Sequence, residues 1–218
     1  LLPGYPFFCA AVYALTGHSH TVLILLQCAI AALACLQIRA IGLLAFPDPR
    51  VAEAAAWLVA FHPGLIHFSS RLYSLTLTLF VFLWALWSWL IFSRSPNRRH
   101  ALHAGFSSGL TLLTRGTLSL FILLMLVWSL RKIPRPRWKL LGIVCMTMAL
   151  VVAPWLVRNA VVLHHFPVFI TTSGQSFWQG NNPRSSGSSR LPDGSSALSA
   201  LPEELARQLP RDEIGQNR

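Results

Sequence analysis

From Thr21 to Val157 the chain is a succession of long apolar runs, each bounded by Arg, Lys, Pro or Gly. About 20 helical residues span the roughly 30 Å of hydrocarbon in a bilayer, and runs of that size have few other destinations. Thr21 to Phe46, Val51 to Phe68, Leu72 to Phe92 and Lys139 to Val157 each approach that length. A soluble surface cannot be built from what remains, because only 11% of the residues are charged against 54% hydrophobic, where soluble domains carry about 25% charged.

The stretch Ala101 to Leu130 is too long for one straight span and is interrupted by Thr114, Arg115 and Gly116, so it reads as two short spans meeting at a turn. Tyr5 to Leu15, opened by Pro3-Gly4 and closed by Thr16-Gly17-His18, is too short to cross and suits an interfacial helix. The fold class expected is therefore all-α integral membrane: about six transmembrane helices and one interfacial helix, then a short soluble extracytoplasmic segment. The domains follow as 1–20 (interfacial helix and outer loop), 21–157 (transmembrane bundle) and 158–218 (extracytoplasmic segment).

Charge distribution supports this topology. Short cytoplasmic connections collect Lys and Arg. Arg39 and Arg50, then Arg94, Arg98 and Arg99, then Arg131, Lys132, Arg135, Arg137 and Lys139 flank alternate connections, ten residues in all. The other connections hold Arg71, Arg115 and Arg158. The formal charge of +11 is thus spread between apolar runs, unlike the single wet basic face of a nucleic-acid reader. No nucleic-acid partner is expected.

Beyond Val157, Pro, Ser, Gly and Asn dominate from Ser173 to Ser199. In this segment His165 to Thr172 suits one strand, Pro202 to Leu209 a helix, and Ser185 to Ser196 a loop. Gly105 and Gly109 have the small-xxx-small spacing that lets membrane helices approach closely. Cys9, Cys28, Cys35 and Cys145 lie in apolar runs without ligand spacing and read as small buried hydrophobes. The eight tryptophans read as anchors at span ends or lipid faces. His62 and His67 are five apart, which does not align a helix face, so neither a metal nor a cofactor is expected.

An arginine among apolar helices is a functional candidate, because an uncompensated charge at membrane depth costs on the order of 3 kcal/mol. Arg71, Arg115 and Arg158 fall on the same outer side in this topology and together could bind an anion; snorkelling to headgroups is the plainer alternative. A guanidinium fork fits phosphate oxygens and stays charged. Asp48 and Glu53, the acidic residues preceding Asp193, belong to the opposite side.

The order of motifs resembles the polyprenyl-phosphate-sugar glycosyltransferases of the GT-C class, the group of the protein mannosyltransferases (family 39-like) and the lipid A aminoarabinose transferase. The residues carrying the resemblance are Pro3-Gly4-Tyr5-Pro6, His62-Pro63, Leu72-Tyr73-Ser74, Leu113-Thr114-Arg115-Gly116, Ala153-Pro154-Trp155 with Arg158-Asn159, and Trp178-Gln179-Gly180-Asn181-Asn182-Pro183. The resemblance implies an inverting sugar transfer from a polyprenyl-phosphate-linked donor to a lipid, protein or glycan acceptor, in a multi-pass protein of the bacterial inner membrane with its active side facing the periplasm or exterior. It further implies that Arg115, Arg158 and Arg71 bind the donor phosphate and that Tyr5, His62, Tyr73, Asn181 and Asn182 line the pocket. The class carries its acidic base in an outer loop after the first span, which would precede Leu1, so the chain reads as a fragment without its base and inactive alone. Where similar sequences carry an acidic residue after Leu-Tyr-Ser, this chain has Leu75. A non-enzymatic transporter or lipid flippase with a broken helix at Arg115, and an inactive scaffold, are the alternatives.

Overall fold

The helices begin where polar side chains can satisfy their first amides. In the computed structural model, which describes residues 2–134, 138–163, 177 and 181, α1 covers Gly4–Thr16 and α2 covers His20–Ala45. Ser19 caps α2 by accepting from the Val22 amide. Between them Gly17 and His18 both take positive φ, 67° each, and Tyr13 stacks on the His18 ring at 5.3 Å. Asp48 caps α3 (Pro49–Ala60) through the Arg50 amide, and Asn97 caps α6 (Arg98–Thr114) through the His100 amide.

Val51 to Phe68, expected as one straight span, is two helices. Pro63 disfavours a helical His62, and the chain breaks there into α3 and α4 (Pro63–Ser69), bent by 55°. His62 serves the new start: its Nδ1 accepts from the Leu65 amide at 3.3 Å. The stretch around Arg115 also breaks, at the expected place. α6 ends at Thr114, Arg115 is extended, a 3-10 turn covers Gly116–Leu118, and α7 covers Ser119–Lys132. The remaining helices are α5 (Leu75–Arg94) and α8 (Trp138–Leu163).

Among the described residues three helices are long and apolar enough to cross a membrane, namely α2, α5 and α8, with a fourth if the bent α3–α4 pair is one span. The expected count of about six is not reached on length and composition. α7, with 14 residues, is only about 21 Å long, and α6 places Gly, Ser and Thr where apolar side chains would sit. The strand at His165–Thr172, the loop at Ser185–Ser196 and the helix at Pro202–Leu209 lie outside the described residues.

The chain divides into Leu2–Trp155 and a second unit of Leu1 with Leu156–Arg218. Within the first unit, direction is fixed by side-chain contacts. Trp89 Nε1 donates to Ser108 Oγ at 2.9 Å and Thr111 Oγ1 donates to the Val81 carbonyl at 3.3 Å, so α5 and α6 run antiparallel. A Cβ on Gly105 would lie 2.5 Å from the Val144 carbonyl oxygen, and one on Gly109 would lie 2.7 Å from Val151 Cβ. Advancing along α6 therefore advances along α8, and the two run parallel with backbones nearly touching. That arrangement requires α7 to carry the chain back, as the split at Arg115 anticipated. The small-xxx-small pair does here what its spacing suggested.

The best-packed region is the cluster of Trp89, Phe92, Ala101, Ala104, Ile133, Leu141 and Val144. Trp89 is fully buried, which corrects its reading as a lipid-facing anchor: the indole N–H must be satisfied inside, and the Ser108 hydroxyl satisfies it. The cysteines need correction too. Cys28 and Cys145 are exposed and Cys9 and Cys35 partly so. On a helix facing lipid, a small apolar thiol meets an apolar surrounding without being packed inside.

Candidate functional site

The two ends of the Leu2–Trp155 unit differ in charge. At one end Arg39 of α2 meets Glu53 of α3 at 2.7 Å, and the Arg94 guanidinium donates to the Leu44 carbonyl. Arg98 and Arg99 begin α6 there, and α7 ends there in Arg131 and Lys132, just before the buried Ile133. Asp48 and Glu53, the described acidic residues, belong to this end as well. The other end holds Arg71 and Arg115, and the first turn of α1 organises it.

Three residues of that turn each reach a different part of the fold. The Tyr5 hydroxyl donates to Gln27 Oε1 at 3.3 Å. Gln27 Nε2 in turn donates to the carbonyls of Arg71 at 3.1 Å and Tyr73 at 3.2 Å. Gly4 packs so closely on the end of α6 that a Cβ would lie 2.7 Å from Thr114 Cγ2 and 2.9 Å from the Leu113 carbonyl oxygen. Phe7 meets Trp155 edge to face, ring centroids 6.4 Å apart. Pro-Gly-Tyr-Pro-Phe is thus the point where the segment after α4, the break after α6 and the late part of α8 converge.

Gln27 is the rim-organising residue that sequence reasoning missed. It is fully buried, and both ends of its amide are used, which a buried amide requires. The signal was available as a carboxamide within an otherwise apolar run, a costly substitution unless it binds something. Its bonds fix the backbone of Arg71 and Tyr73 and leave their side chains outside: Arg71 is exposed, and Tyr73 is 47% exposed with its ring 5.2 Å from Phe68. Burial, ahead of the hydrogen bond to Cys9, raises the Tyr5 phenol above its ordinary value, so it stays protonated as the donor to Gln27.

Arg115 caps α6 in an extended conformation (φ −153°, ψ 108°), and its side chain is exposed. Arg71 and Arg115 therefore share one end of the unit, joined through Tyr5–Gln27 on one side and Gly4–Thr114 on the other. Arg158 belongs to the second unit, where its Nη1 donates to Oδ1 of the buried Asn159 at 3.1 Å. Asn181, also of that unit, donates to the Phe177 carbonyl at 2.8 Å, and Asn182 lies outside the described residues. His62 sits at the α3–α4 elbow with its ring engaged in capping. Among the described residues no group of three His, Cys, Asp or Glu could hold a metal.

Beneath this rim a cavity of about 250 Å³ opens between α2, the α3–α4 elbow and α5, lined by Cys28, Cys35, Leu65, Ser69 and Thr76 among others. Its walls are chiefly apolar, so it suits hydrocarbon better than a sugar. Cationic side chains at the rim over apolar helices can hold an anionic head at the surface and its chain below.

The family model described as dolichyl-phosphate-mannose-protein mannosyltransferase matches residues 3–157. No curated protein and no solved structure matches the chain.

Proposed function

The chain belongs to the dolichyl-phosphate-mannose-protein mannosyltransferase family, and from that membership we propose that it takes part in moving a sugar from a polyprenyl-phosphate donor to an acceptor on the extracytoplasmic side of the membrane, with inversion. An integral membrane glycosyltransferase of the GT-C kind is what family and apolar helices together support.

What supports the finer reading is that Arg71 and Arg115, both exposed, belong to the end of the unit that the first turn of α1 organises, away from Arg39, Arg94, Arg98 and Arg99. Breaking the sugar–phosphate bond leaves negative charge on the departing phosphate oxygen. A guanidinium already in place stabilises that charge without reorganising, which lowers the barrier. In this reading Arg115 and Arg71 hold the donor phosphate, Arg158 is a further phosphate ligand on the strength of the family resemblance alone, and residues 21–157 form the membrane part, with 158–218 outside it. Tyr5, His62, Tyr73, Asn181 and Asn182 face the donor sugar or the acceptor.

A general base must accept the acceptor's proton. Asp48 and Glu53, the described acidic residues, stand at the other end of the unit from Arg71 and Arg115, so in this reading neither serves as that base. The test is sugar transfer from a polyprenyl-phosphate donor by the full natural protein in detergent or proteoliposomes, comparing Arg115→Ala and Arg115→Lys with the parent. A fall of about 10²-fold or more in Arg115→Ala, partly recovered in Arg115→Lys, supports the role; unchanged turnover removes Arg115 from the site. Solute transport without covalent product would favour a transporter instead, a reading that the broken helix at Arg115 keeps open.

A further inference from the structure

At the basic end, α6 presents one continuous face in which charge gives way to hydrocarbon. Arg99, Leu102, His103 and Phe106 fall at i, i+3, i+4 and i+7, the spacing of a single helix face. With Trp84 of α5 and Thr147 of α8 they line an open groove of about 390 Å³. Trp84 and Phe106, both in its wall, meet edge to face at 5.8 Å. Leu102 and Phe106 are 42% and 43% exposed, so the groove is not filled by the protein's own side chains.

The geometry points to a binding site for an anionic glycerophospholipid, separate from the rim at Arg71 and Arg115. Its phosphate would lie against the Arg99 guanidinium and the His103 ring, and an acyl chain would run along Leu102 and Phe106 to Trp84. From Arg99 to Phe106 is about 10 Å along the helix, the path from headgroup level into the hydrocarbon. Charge complementarity chooses the headgroup. Arg98 begins the same helix and Lys139 lies in the first turn of the neighbouring α8. Of the described carboxylates, Asp48 accepts from the Arg50 amide and Glu53 is taken by Arg39. Among the described residues no acidic side chain lines the groove to answer the ammonium of a zwitterionic lipid, whereas each arginine near the surface adds affinity for an anionic one. The apolar walls separate this site from one for free phosphate, which would gain nothing from Trp84, Leu102 or Phe106.

This inference rests on membrane residence and on no role for Arg115, so the two can fail separately. The experiment is native mass spectrometry of the full-length protein in detergent with phosphatidylglycerol, phosphatidylcholine or a polyprenyl phosphate added at equal concentration. Phosphatidylglycerol is expected to be retained in preference to phosphatidylcholine. Arg99→Ala should lower that retention about fivefold, while Arg50→Ala, at the same end but outside the groove, leaves it unchanged. Leu102→Trp keeps every charge and fills the groove, and should also lower retention; it decides the matter should Arg99→Ala not fold. Equal retention of the two phospholipids, equal losses in Arg50→Ala and Arg99→Ala, unchanged retention in Leu102→Trp, or displacement of phosphatidylglycerol by the polyprenyl phosphate would each overturn the assignment.

Discussion

The Tyr5 phenol donates to the Gln27 carboxamide at 3.3 Å, joining the short first helix to the 26-residue apolar α2. Everything else at the rim hangs on that amide, because its nitrogen side holds the carbonyls of Arg71 and Tyr73.

Replacing Gln27 by Leu keeps the volume and removes all three bonds. The Arg71 and Tyr73 carbonyls then lose their partner, a loss of about 1–3 kcal/mol. Thermal unfolding in detergent should show Gln27→Leu clearly destabilised and Tyr5→Phe only mildly. Adding Tyr5→Phe to Gln27→Leu should cost almost nothing more, since the bond is already gone.

The raised Tyr5 phenol gives a dependence on pH of definite sign. Its folded form holds the proton more tightly than the unfolded chain. The corresponding stability is therefore complete below the ordinary tyrosine value of about 10 and is lost as pH climbs from there toward the higher folded value. The thermal midpoint of the parent should fall more steeply than that of Tyr5→Phe above about pH 10, and parallel curves would contradict the assignment.

Glycines on the helices facing each other should not be interchangeable. Gly105→Ala places a methyl 2.5 Å from a carbonyl oxygen of α8 and should destabilise by roughly 1–3 kcal/mol. Gly142 has nothing within 4 Å of its virtual Cβ, so Gly142→Ala should be neutral or gain up to about 1 kcal/mol from helix propensity. Both are read from the same unfolding assay.

Trp89→Phe and Ser108→Ala each break one buried bond. Each should cost about 1 kcal/mol or somewhat more, with Trp89→Phe the worse because it also leaves a void. A double variant equal to the sum of the two would show that the indole and the hydroxyl do not act together.

Local signals were readable without coordinates. The apolar runs of α2, α5 and α8, the break at Thr114-Arg115-Gly116 and the spacing of Gly105 and Gly109 all announce themselves within a few residues. Pro63 was equally visible, yet its neighbours are apolar enough to suggest an unbroken run, and only the observed bend of 55° shows the elbow. The count of spans is not reached on length and composition for a related reason: α6 is held by Trp89, Thr111 and its glycines against other helices, so it need not be as apolar as a helix that faces lipid. Gln27 itself stands out in its apolar run, but its pairing was hidden because the partners lie 44 and 46 positions away, and no periodicity encodes such a pairing. Trp89 was misread because composition alone cannot distinguish an indole at an interface from one inside.

Gly105 and Gly109 have a mechanical consequence as well. Two helices whose main chains touch cannot slide or roll on each other without one backbone colliding with the other, so α6 and the adjoining part of α8 act as a single strut. The bends of this unit lie instead at the elbow between Ala60 and Pro63 and at the Arg115 joint.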